Sequence, residues 1–385
     1  MIGLLTARGV AVATLVAVER GARANVELAR LLGESDLSER DRAFATELTY
    51  GTLRMRRSCD WLASRFAPSR LEPQVSATVQ TGAYQLAFMR VPPHAAVSAT
   101  VAEAPRRAKG LVNAVLRRVA EGLQTGPPRW PDLATELSYP DWIVERLCAD
   151  LGRERALGAL REMNVPASPT VRADGYVQDR ASQAVGEHLV GLLARAPAGA
   201  ALDLCAAPGG KATALARGVP QVVAVEIDRD RAGLVARNAE NLGLGNVAVV
   251  LADGTSPPVR MSSFAGVLVD APCSGLGVLR RRPDARWRVR SDDVARLAGL
   301  QRRLLEAASP LVKPSGLLAY SVCTLTKQET VAIDGWLGER LVGWEPAGSP
   351  APGWEPLGRG ALILPQAAGT DGMFLLVLRR PAFGG

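Results

Sequence analysis

The sequence is poor in the residues on which metal and histidine chemistry depend. Its 385 residues include only two histidines, His94 and His188, and five cysteines. The cysteines are odd in number and show no CxxC spacing, which argues against a disulfide framework and against a zinc site. We therefore expect no bound metal, and we interpret both histidines as structural.

Long apolar runs are missing as well. Although 48% of the residues are hydrophobic, no run approaches the roughly 18 residues that a membrane span requires. Residues 1–28 are apolar but carry Arg8, Glu19, Arg20 and Arg23, and they lack the order of regions found in a signal peptide. We interpret this segment as an amphipathic helix and expect a cytoplasmic monomer that does not associate with membranes.

Positive charge is concentrated in two places. Residues 1–130 contain 18 Arg or Lys against 11 Asp or Glu, and the run RRRPDARWRVR at 280–290 contains six arginines and one aspartate. This distribution indicates a polyanionic partner such as a nucleic acid, although a general preference for arginine would also produce it. Trp287 could stack on a base or pack into a core. The candidate nucleic-acid contacts are Arg280, Arg281 and Arg282.

The periodicity of apolar residues changes along the chain. Residues 8–122 have apolar positions three to four apart, which predicts an all-helical domain, and residues 131–163 predict two more helices. From residue 200 onward, short apolar strands alternate with helices, which predicts a doubly wound, mostly parallel sheet. The predicted strands are 201–204, 222–226, 247–251, 265–270 and 316–322, with a terminal hairpin at 361–364 and 373–378.

The first of these strands leads into a loop of small residues, Cys205-Ala206-Ala207-Pro208-Gly209-Gly210-Lys211. Small residues allow close backbone approach to a ligand, and the following helix offers free N–H groups to an anion. Glu226 and Asp253 end the next two strands, where acids bind ribose and base groups in such sheets. A dinucleotide and S-adenosyl-L-methionine both fit, but the GxGxxG pattern of a dinucleotide site is absent.

Two later loops each carry one cysteine. In VLVDAPCSGLG, Asp270 ends a strand and Cys273 follows three residues later, and in LLAYSVCTLT, Cys323 follows the next strand. Neighbouring parallel strands would bring both thiols to one sheet edge. A thiolate that adds to C6 of a pyrimidine makes C5 nucleophilic, and a carboxyl group near N3 stabilises the charge that develops. This combination predicts methyl transfer to a pyrimidine that has left its stack.

CAAPGGK, DAPCSG and the final-strand Cys-Thr, together with RRRPDARW (280–287) and GTDGMF (369–374), resemble the RNA 5-methylcytosine methyltransferases, and the helical N-terminus resembles NusB. The resemblance implies a NusB-like RNA-binding domain over 1–125, linker helices and a truncated RNA-contacting subdomain over 126–175, and a Rossmann-like catalytic domain with a seven-stranded sheet over 176–385. It also implies S-adenosyl-L-methionine as cofactor, bound by Cys205 through Lys211, Glu226, Asp253 and Asp270, and ribosomal RNA of the small subunit as substrate.

The same resemblance assigns Cys323 as nucleophile, Cys273 as the thiol that assists product release, and Asp270 as the group at the cytosine N3. Pro272-Cys273 also resembles the Pro-Cys nucleophile of DNA cytosine-C5 methyltransferases, so the sequence leaves an exchange of the two thiol roles open.

The chain departs from the family pattern at three places. Glu226 replaces the usual Asp, Ser321-Val322-Cys323 replaces Ala-Thr-Cys, and only 12 residues separate Met163 from Tyr176, where the family has an RNA-contacting subdomain. Transfer RNA as substrate and a catalytically decayed RNA-binding module remain alternatives.

Overall fold

The computed structural model of the chain describes residues 6–67, 70–350 and 352–382, and these residues form two compact units. The first comprises the described residues within Met1–Glu145, Asn164–Pro166 and Leu279–Arg288, and the second those within Arg146–Met163, Ala167–Val278 and Val289–Gly385. The domain limits at 125 and 175 stay a prediction. Within the described ranges, no helix is long and apolar enough to cross a membrane.

The α-helices of the described residues, in chain order, are α1 (Ala7–Glu19), α2 (Ala24–Gly33), α3 (Glu39–Arg54), α4 (Arg56–Ser64), α5 (Pro73–Phe88), α6 (Pro93–Ala102), α7 (Lys109–Gln124), α8 (Leu133–Leu137), α9 (Asp141–Leu151), α10 (Arg153–Glu162), α11 (Arg180–Leu193), α12 (Gly210–Leu215), α13 (Arg229–Asn241), α14 (Ala285–Arg288), α15 (Ser291–Ala308), α16 (Val331–Arg340) and α17 (Pro365–Ala368). Short 3₁₀ turns lie at Arg106–Ala108, Ser309–Leu311 and Lys327–Glu329.

The strands are β1 (Ala201–Asp203), β2 (Val222–Glu226), β3 (Val247–Leu251), β4 (Phe264–Asp270), β5 (Val312–Val322), β6 (Glu345–Pro346), β7 (Trp354–Leu357), β8 (Gly360–Ile363) and β9 (Met373–Arg379). They form one sheet in the order β3-β2-β1-β4-β5-β9-β8-β7, with β6 also paired to β9. The strands from β3 to β5 are parallel, and β9 joins β5 in antiparallel orientation.

The predicted architecture is confirmed, with differences in detail. The single helix predicted for residues 1–28 is divided into α1 and α2 after Gly21, whose φ is +102°, and residues 1–5 lie outside the described residues. Three helices rather than two occupy 131–163, because Gly152 at φ +83° separates α9 from α10. Positive φ values of this size favour glycine and interrupt a helix.

The sheet has nine described strands instead of the seven that we expected. The additional strands are β6 and β7, which have two and four residues and each contain a proline. Proline cannot donate a backbone hydrogen bond and within sheets is confined to edge strands, strand starts and bulges. Both segments are also too short to show the apolar alternation that marks a strand, so the sequence did not predict them. The predicted terminal hairpin is present as the antiparallel pair of β8 and β9.

Close contacts between helices define the core of the first unit. Val79 of α5 and Val112 and Leu116 of α7 are buried in one cluster. A β-carbon built on Gly82 would lie 2.4 Å from a Leu116 methyl group, which is closer than van der Waals contact allows. The absence of a side chain at Gly82 therefore lets α5 and α7 pack against each other.

Arg286 is the largest fully buried side chain of the described residues. Its Nη1 donates to the carbonyl oxygens of Arg54 at 2.9 Å and Ser138 at 3.0 Å and to Asn164 Oδ1 at 3.0 Å. The guanidinium carbon lies 3.9 Å from the centre of the Tyr139 ring. Burial lowers the pKa of Arg286 to about 10. These contacts attach the segment Leu279–Arg288 to the helices of the first unit.

We predict that Arg286→Leu lowers the free energy of unfolding of the first unit by about 3 kcal/mol or more, because buried carbonyl groups lose their donor. Arg282→Leu is the matched control: Arg282 is exposed, so the change should stay within about 0.5 kcal/mol. Urea unfolding followed by circular dichroism measures both, and equal midpoints for the two variants would contradict the prediction.

Candidate active site

The carboxyl end of β1 leads into the loop of small residues, and backbone geometry determines its course. The Ala206 N–H donates to the carbonyl oxygen of Val225 at 3.0 Å, which ties the loop to β2. Gly209 has a φ of +106°, and a β-carbon there would lie 3.3 Å from the Val235 Cα. Gly209 is thus required both for its conformation and for its close approach to α13.

Lys211 and Asp270 form a charged pair at the point where β1 and β4 lie side by side. Lys211 Nζ donates to Asp270 Oδ2 at 2.8 Å, and the exposed fractions of the side chains are 7% and 30%. Burial alone would lower the pKa of Lys211, but the charge and hydrogen bond of Asp270, together with the charges of Cys323 and Asp203, raise the pKa above its ordinary value. The sequence predicted Lys211 as a cofactor contact and did not indicate this partner.

The two candidate thiols are in contact. Cys273 Sγ and Cys323 Sγ are 3.4 Å apart. Either sulfur can donate in this contact. With Cys273 as the donor, the S–H···S hydrogen bond lowers the pKa of Cys323, and the same interaction together with burial raises the pKa of Cys273. Of the two, Cys323 is therefore the thiol that ionises more readily, and thiolates are the nucleophilic form of cysteine.

Backbone hydrogen bonds join the loops that carry these thiols. The Gly277 N–H donates to the Cys323 carbonyl at 3.0 Å, and the Gly372 N–H donates to the Gly277 carbonyl at 2.8 Å. A β-carbon on Gly277 would lie 2.1 Å from the Gly372 carbonyl oxygen. The sequence motif GTDGMF thus belongs to the same edge of the sheet as both cysteines.

The two remaining acids lie at the carboxyl ends of β2 and β3. Glu226 is 3% exposed, and its oxygens accept from the backbone N–H groups of Ala207 at 3.3 Å and Ile227 at 3.1 Å. Asp253 is exposed, and its Oδ1 accepts from the Thr255 N–H at 2.8 Å. Glu226 Oε1 also accepts from the Asp228 N–H at 3.2 Å and from Arg231 Nη1 at 3.3 Å, so among the described residues the oxygen with a spare acceptor position is Oε2 in Glu226 and Oδ2 in Asp253.

Comparison with known proteins identifies the family. Residues 190–379 match the family model described as 16S rRNA methyltransferase RsmB/F, and residues 5–121 match the NusB family. Ribosomal RNA small subunit methyltransferase B of Thermus thermophilus is 36% identical, with 97% of this chain and 98% of that protein covered. The chain belongs to the RsmB/F family of 16S rRNA methyltransferases. It has the NusB domain and the sheet of a methyltransferase that uses S-adenosyl-L-methionine.

Other relatives agree with this assignment. The Salmonella paratyphi C protein, also named ribosomal RNA small subunit methyltransferase B, is 31% identical over 77% of this chain and 81% of its own length. The crystal structure of PH0851 superposes with a TM-score of 0.78 at 20% identity, over 97% of this chain and 99% of that one. At that identity the superposition shows a shared fold.

The residues at the edge of the sheet fit the cofactor of the RsmB/F family. The carboxyl groups at the ends of β2, β3 and β4 are acceptors of the kind that ribose hydroxyls and amino groups require. Beside them lies a loop that carries no large side chain between Cys205 and Gly210. These acceptors and the loop of small residues together match the hydroxyl and amino groups of the cofactor and the space that it needs.

Asp203 is a further member of this site that the sequence analysis missed. It ends β1, its side chain is fully buried, and neither carboxyl oxygen has a hydrogen-bond partner of good geometry among the described residues. Burial and the charge of Asp270 raise the pKa of Asp203 to about 7. The signal was present in LDLCAAPGGK, where an acid interrupts an apolar strand immediately before the loop.

The arginine run of this RsmB/F chain differs from the expectation. Arg280, one of the candidate nucleic-acid contacts, is 6% exposed, and Arg286 of the same run is fully buried, so neither guanidinium group is presented to solvent as a phosphate contact would be. Both residues belong to the first unit, where the Arg286 guanidinium donates to the carbonyl groups of Arg54 and Ser138 and the Arg280 carbonyl accepts from Arg54 Nη2 at 3.3 Å. Arg281 and Arg282 are exposed. The Trp287 Nε1 donates to the Leu53 carbonyl at 2.7 Å. Trp287 therefore packs within the protein, which was one of the two alternatives for this residue.

Proposed function

We propose that this RsmB/F methyltransferase methylates C5 of a cytosine in RNA through a covalent bond between Cys323 and C6 of the base. The observation that supports the proposal most directly is the 3.4 Å contact of the Cys273 and Cys323 sulfurs. Asp270, three residues before Cys273, belongs to the same edge of the sheet. Methylation of an exocyclic amino group or a ribose oxygen has no use for two thiols in contact.

The chemistry of the base explains why a thiol is needed. C5 of cytosine is a weak nucleophile, and addition of a thiolate to C6 converts the ring to an enamine whose C5 is reactive. When bound, S-adenosyl-L-methionine supplies the electrophilic methyl group. After C5 carries that methyl group, water or another base takes the C5 proton, the C5–H electron pair re-forms the C5–C6 double bond, and the Cys323 sulfur leaves C6 as a thiolate.

Each side chain has a distinct part in this scheme. Cys323 adds to C6, because the hydrogen bond from Cys273 lowers its pKa and favours its thiolate. Asp270 binds at N3, where charge develops during the addition, and the bond from Lys211 orients its carboxyl group. Cys273, whose pKa is raised, remains a protonated thiol and assists release by donating its S–H to the Cys323 sulfur as that sulfur leaves C6.

The cofactor contacts that we propose lie along the carboxyl edge of the sheet. Glu226 binds the ribose hydroxyls and Asp253 the adenine end, with Asp270 near the methionine end. The loop contributes its small residues and backbone, namely Cys205, Ala206, Ala207, Pro208, Gly209, Gly210 and Lys211.

The proposed substrate is ribosomal RNA of the small subunit, as the names of the relatives state for those proteins. To enter the site, the cytosine must leave its stack. The exposed Arg281 and Arg282 are the proposed phosphate contacts. Bisulfite sequencing of RNA from cells with and without the gene identifies the target, and a lost site in transfer RNA would favour the alternative substrate.

We predict that Cys323→Ala abolishes both methylation and the covalent RNA complex, whereas Cys273→Ala accumulates a complex that survives denaturing electrophoresis. The reason is that Cys323 forms the bond to C6 and Cys273 assists its cleavage. Cys148→Ala is the matched control, since Cys148 is another free, partly exposed cysteine, and it should behave as the unmodified protein. A covalent complex formed by Cys323→Ala would show that the roles are exchanged.

We also predict that Arg281→Ala/Arg282→Ala reduces the salt dependence of RNA binding. Each phosphate contact to single-stranded RNA contributes about 0.7 to the steepness with which the logarithm of the association constant falls against the logarithm of salt concentration. Loss of two contacts should therefore make that slope shallower by about 1.4. The control is Arg195→Ala/Arg260→Ala, which removes two other exposed arginines. Equal slopes for the two double variants would contradict a phosphate contact at Arg281 and Arg282.

A further inference from the structure

Glu329 lies at the end of the 3₁₀ turn that follows the Cys323 loop, and its side chain is completely buried. Five donors surround its carboxyl group. Oε1 accepts from the Ser274 N–H at 2.8 Å and Gln301 Nε2 at 3.0 Å. Oε2 accepts from the hydroxyl groups of Ser274 at 2.5 Å, Thr324 at 3.0 Å and Thr326 at 2.9 Å.

The donors come from both cysteine loops. Ser274 is the residue after Cys273, and Thr324 is the residue after Cys323. The Ser274 and Thr324 hydroxyl oxygens are also 2.7 Å apart. One buried carboxyl group therefore binds the immediate neighbour of each thiol, although the two loops are 50 residues apart in the sequence.

A second layer supports the same arrangement. Gln301 Nε2 donates to the Pro272 carbonyl at 3.0 Å as well as to Glu329, so the residues on both sides of Cys273 are held. The Tyr320 hydroxyl is 2.9 Å from Gln301 Oε1 and 2.7 Å from the Glu329 carbonyl oxygen. Fully satisfied buried networks of this kind hold one arrangement of their members.

A carboxyl group suits this position, because every group that faces Glu329 Oε1 and Oε2 is a donor. Its two oxygens carry four lone-pair positions and no hydrogen that would oppose a donor when the group is ionised. Burial of such a group is unfavourable unless donors surround it, and here there are five. The sequence analysis did not identify Glu329, because it stands in a polar stretch, TLTKQET, without any motif of its own.

We infer that Glu329 is a positioning residue, which sets the separation of the Cys273 and Cys323 thiols by binding Ser274 and Thr324 at the same time. The expected effect of Glu329 on catalysis rests on the proposed function, since only covalent catalysis at C6 needs the two sulfurs in contact. The effect of Glu329 on the distance between the two sulfurs does not depend on the proposed function. Shortening Glu329 leaves the two loops without their common acceptor, and the thiols lose contact.

The experiment measures thiol separation and catalysis independently in the full chain. Hydrogen peroxide oxidises the two thiols to a disulfide and is reduced to two molecules of water, and peptide mass spectrometry follows the rate of Cys273–Cys323 linkage. Methylation kinetics on RNA give kcat, and calorimetry with the inert cofactor analogue sinefungin measures the cofactor site. The variants are Glu329→Ala, Glu329→Gln and Ser274→Ala, with Glu339→Ala as the control because the Glu339 side chain is 79% exposed.

We expect Glu329→Ala to slow disulfide formation and to lower kcat by about tenfold to a hundredfold, the scale of an ångström-sized misplacement, with sinefungin affinity within about twofold of the unmodified protein. Glu329→Gln should give a rate of disulfide formation and a kcat between those of Glu329→Ala and the unmodified protein, because its amide oxygen still accepts from Ser274 and Gln301. Ser274→Ala, which removes one hydroxyl group, tests the same link if Glu329→Ala does not fold. Glu339→Ala should match the unmodified protein.

Unchanged disulfide formation in folded Glu329→Gln and Ser274→Ala would overturn the inference. A parallel loss of sinefungin affinity and kcat would also overturn it, because it would show a general structural role. Failure of the proposed function is distinguishable: the unmodified protein would then form the disulfide readily yet leave C5 of cytosine unmethylated.

Discussion

The contact between the sulfurs of Cys273 and Cys323 depends on the register of two parallel strands. Asp270 of β4 pairs with Ser321 of β5, and each thiol follows its strand within three residues of that pair. A slip by one residue would turn alternate side chains to the other face of the sheet and separate the sulfurs. The apolar residues that hold this register, including Leu268 and Ala319, are buried in the core of the second unit. Packing of the sheet thus determines the geometry of the candidate chemistry.

The charges near the thiols make the pair asymmetric. Lys211 is bound to Asp270, and its positive charge favours the Cys323 thiolate, whereas Asp270 and Asp371 oppose it. The hydrogen bond from Cys273 is the largest influence and favours the Cys323 thiolate. Glu329 adds negative charge that raises the pKa of Cys273, and Asp203 takes up a proton near neutral pH. The surroundings therefore favour one ionised thiol and one protonated thiol, which are the states that addition and release require of them.

The fold and most residues of the candidate site could be predicted from the sequence, because apolar strands and cysteine-containing loops at strand ends are local patterns. The positions of β1 to β5, β8 and β9 followed from apolar runs, and the placement of Asp270, Cys273 and Cys323 followed from the strand ends. The partner of Lys211 and the role of Glu329 did not, since both depend on contacts between segments distant in the chain. The composition of the run 280–290 suggests a charged surface, but Arg280 and Arg286 are buried. For Arg286, carbonyl groups and the Tyr139 ring provide the buried environment, which composition does not reveal.

The state of the thiol pair is open to direct measurement. Iodoacetamide alkylates thiolates, so initial rates of modification at Cys273 and Cys323, resolved by peptide mass spectrometry between pH 6 and 10, report their separate ionisation. We predict that Cys323 reacts with a midpoint pH below the ordinary thiol pKa of about 8.5, while Cys273 in the same molecules reacts far more slowly throughout this pH range. Preferential modification of Cys273, or identical profiles for both thiols, would contradict it.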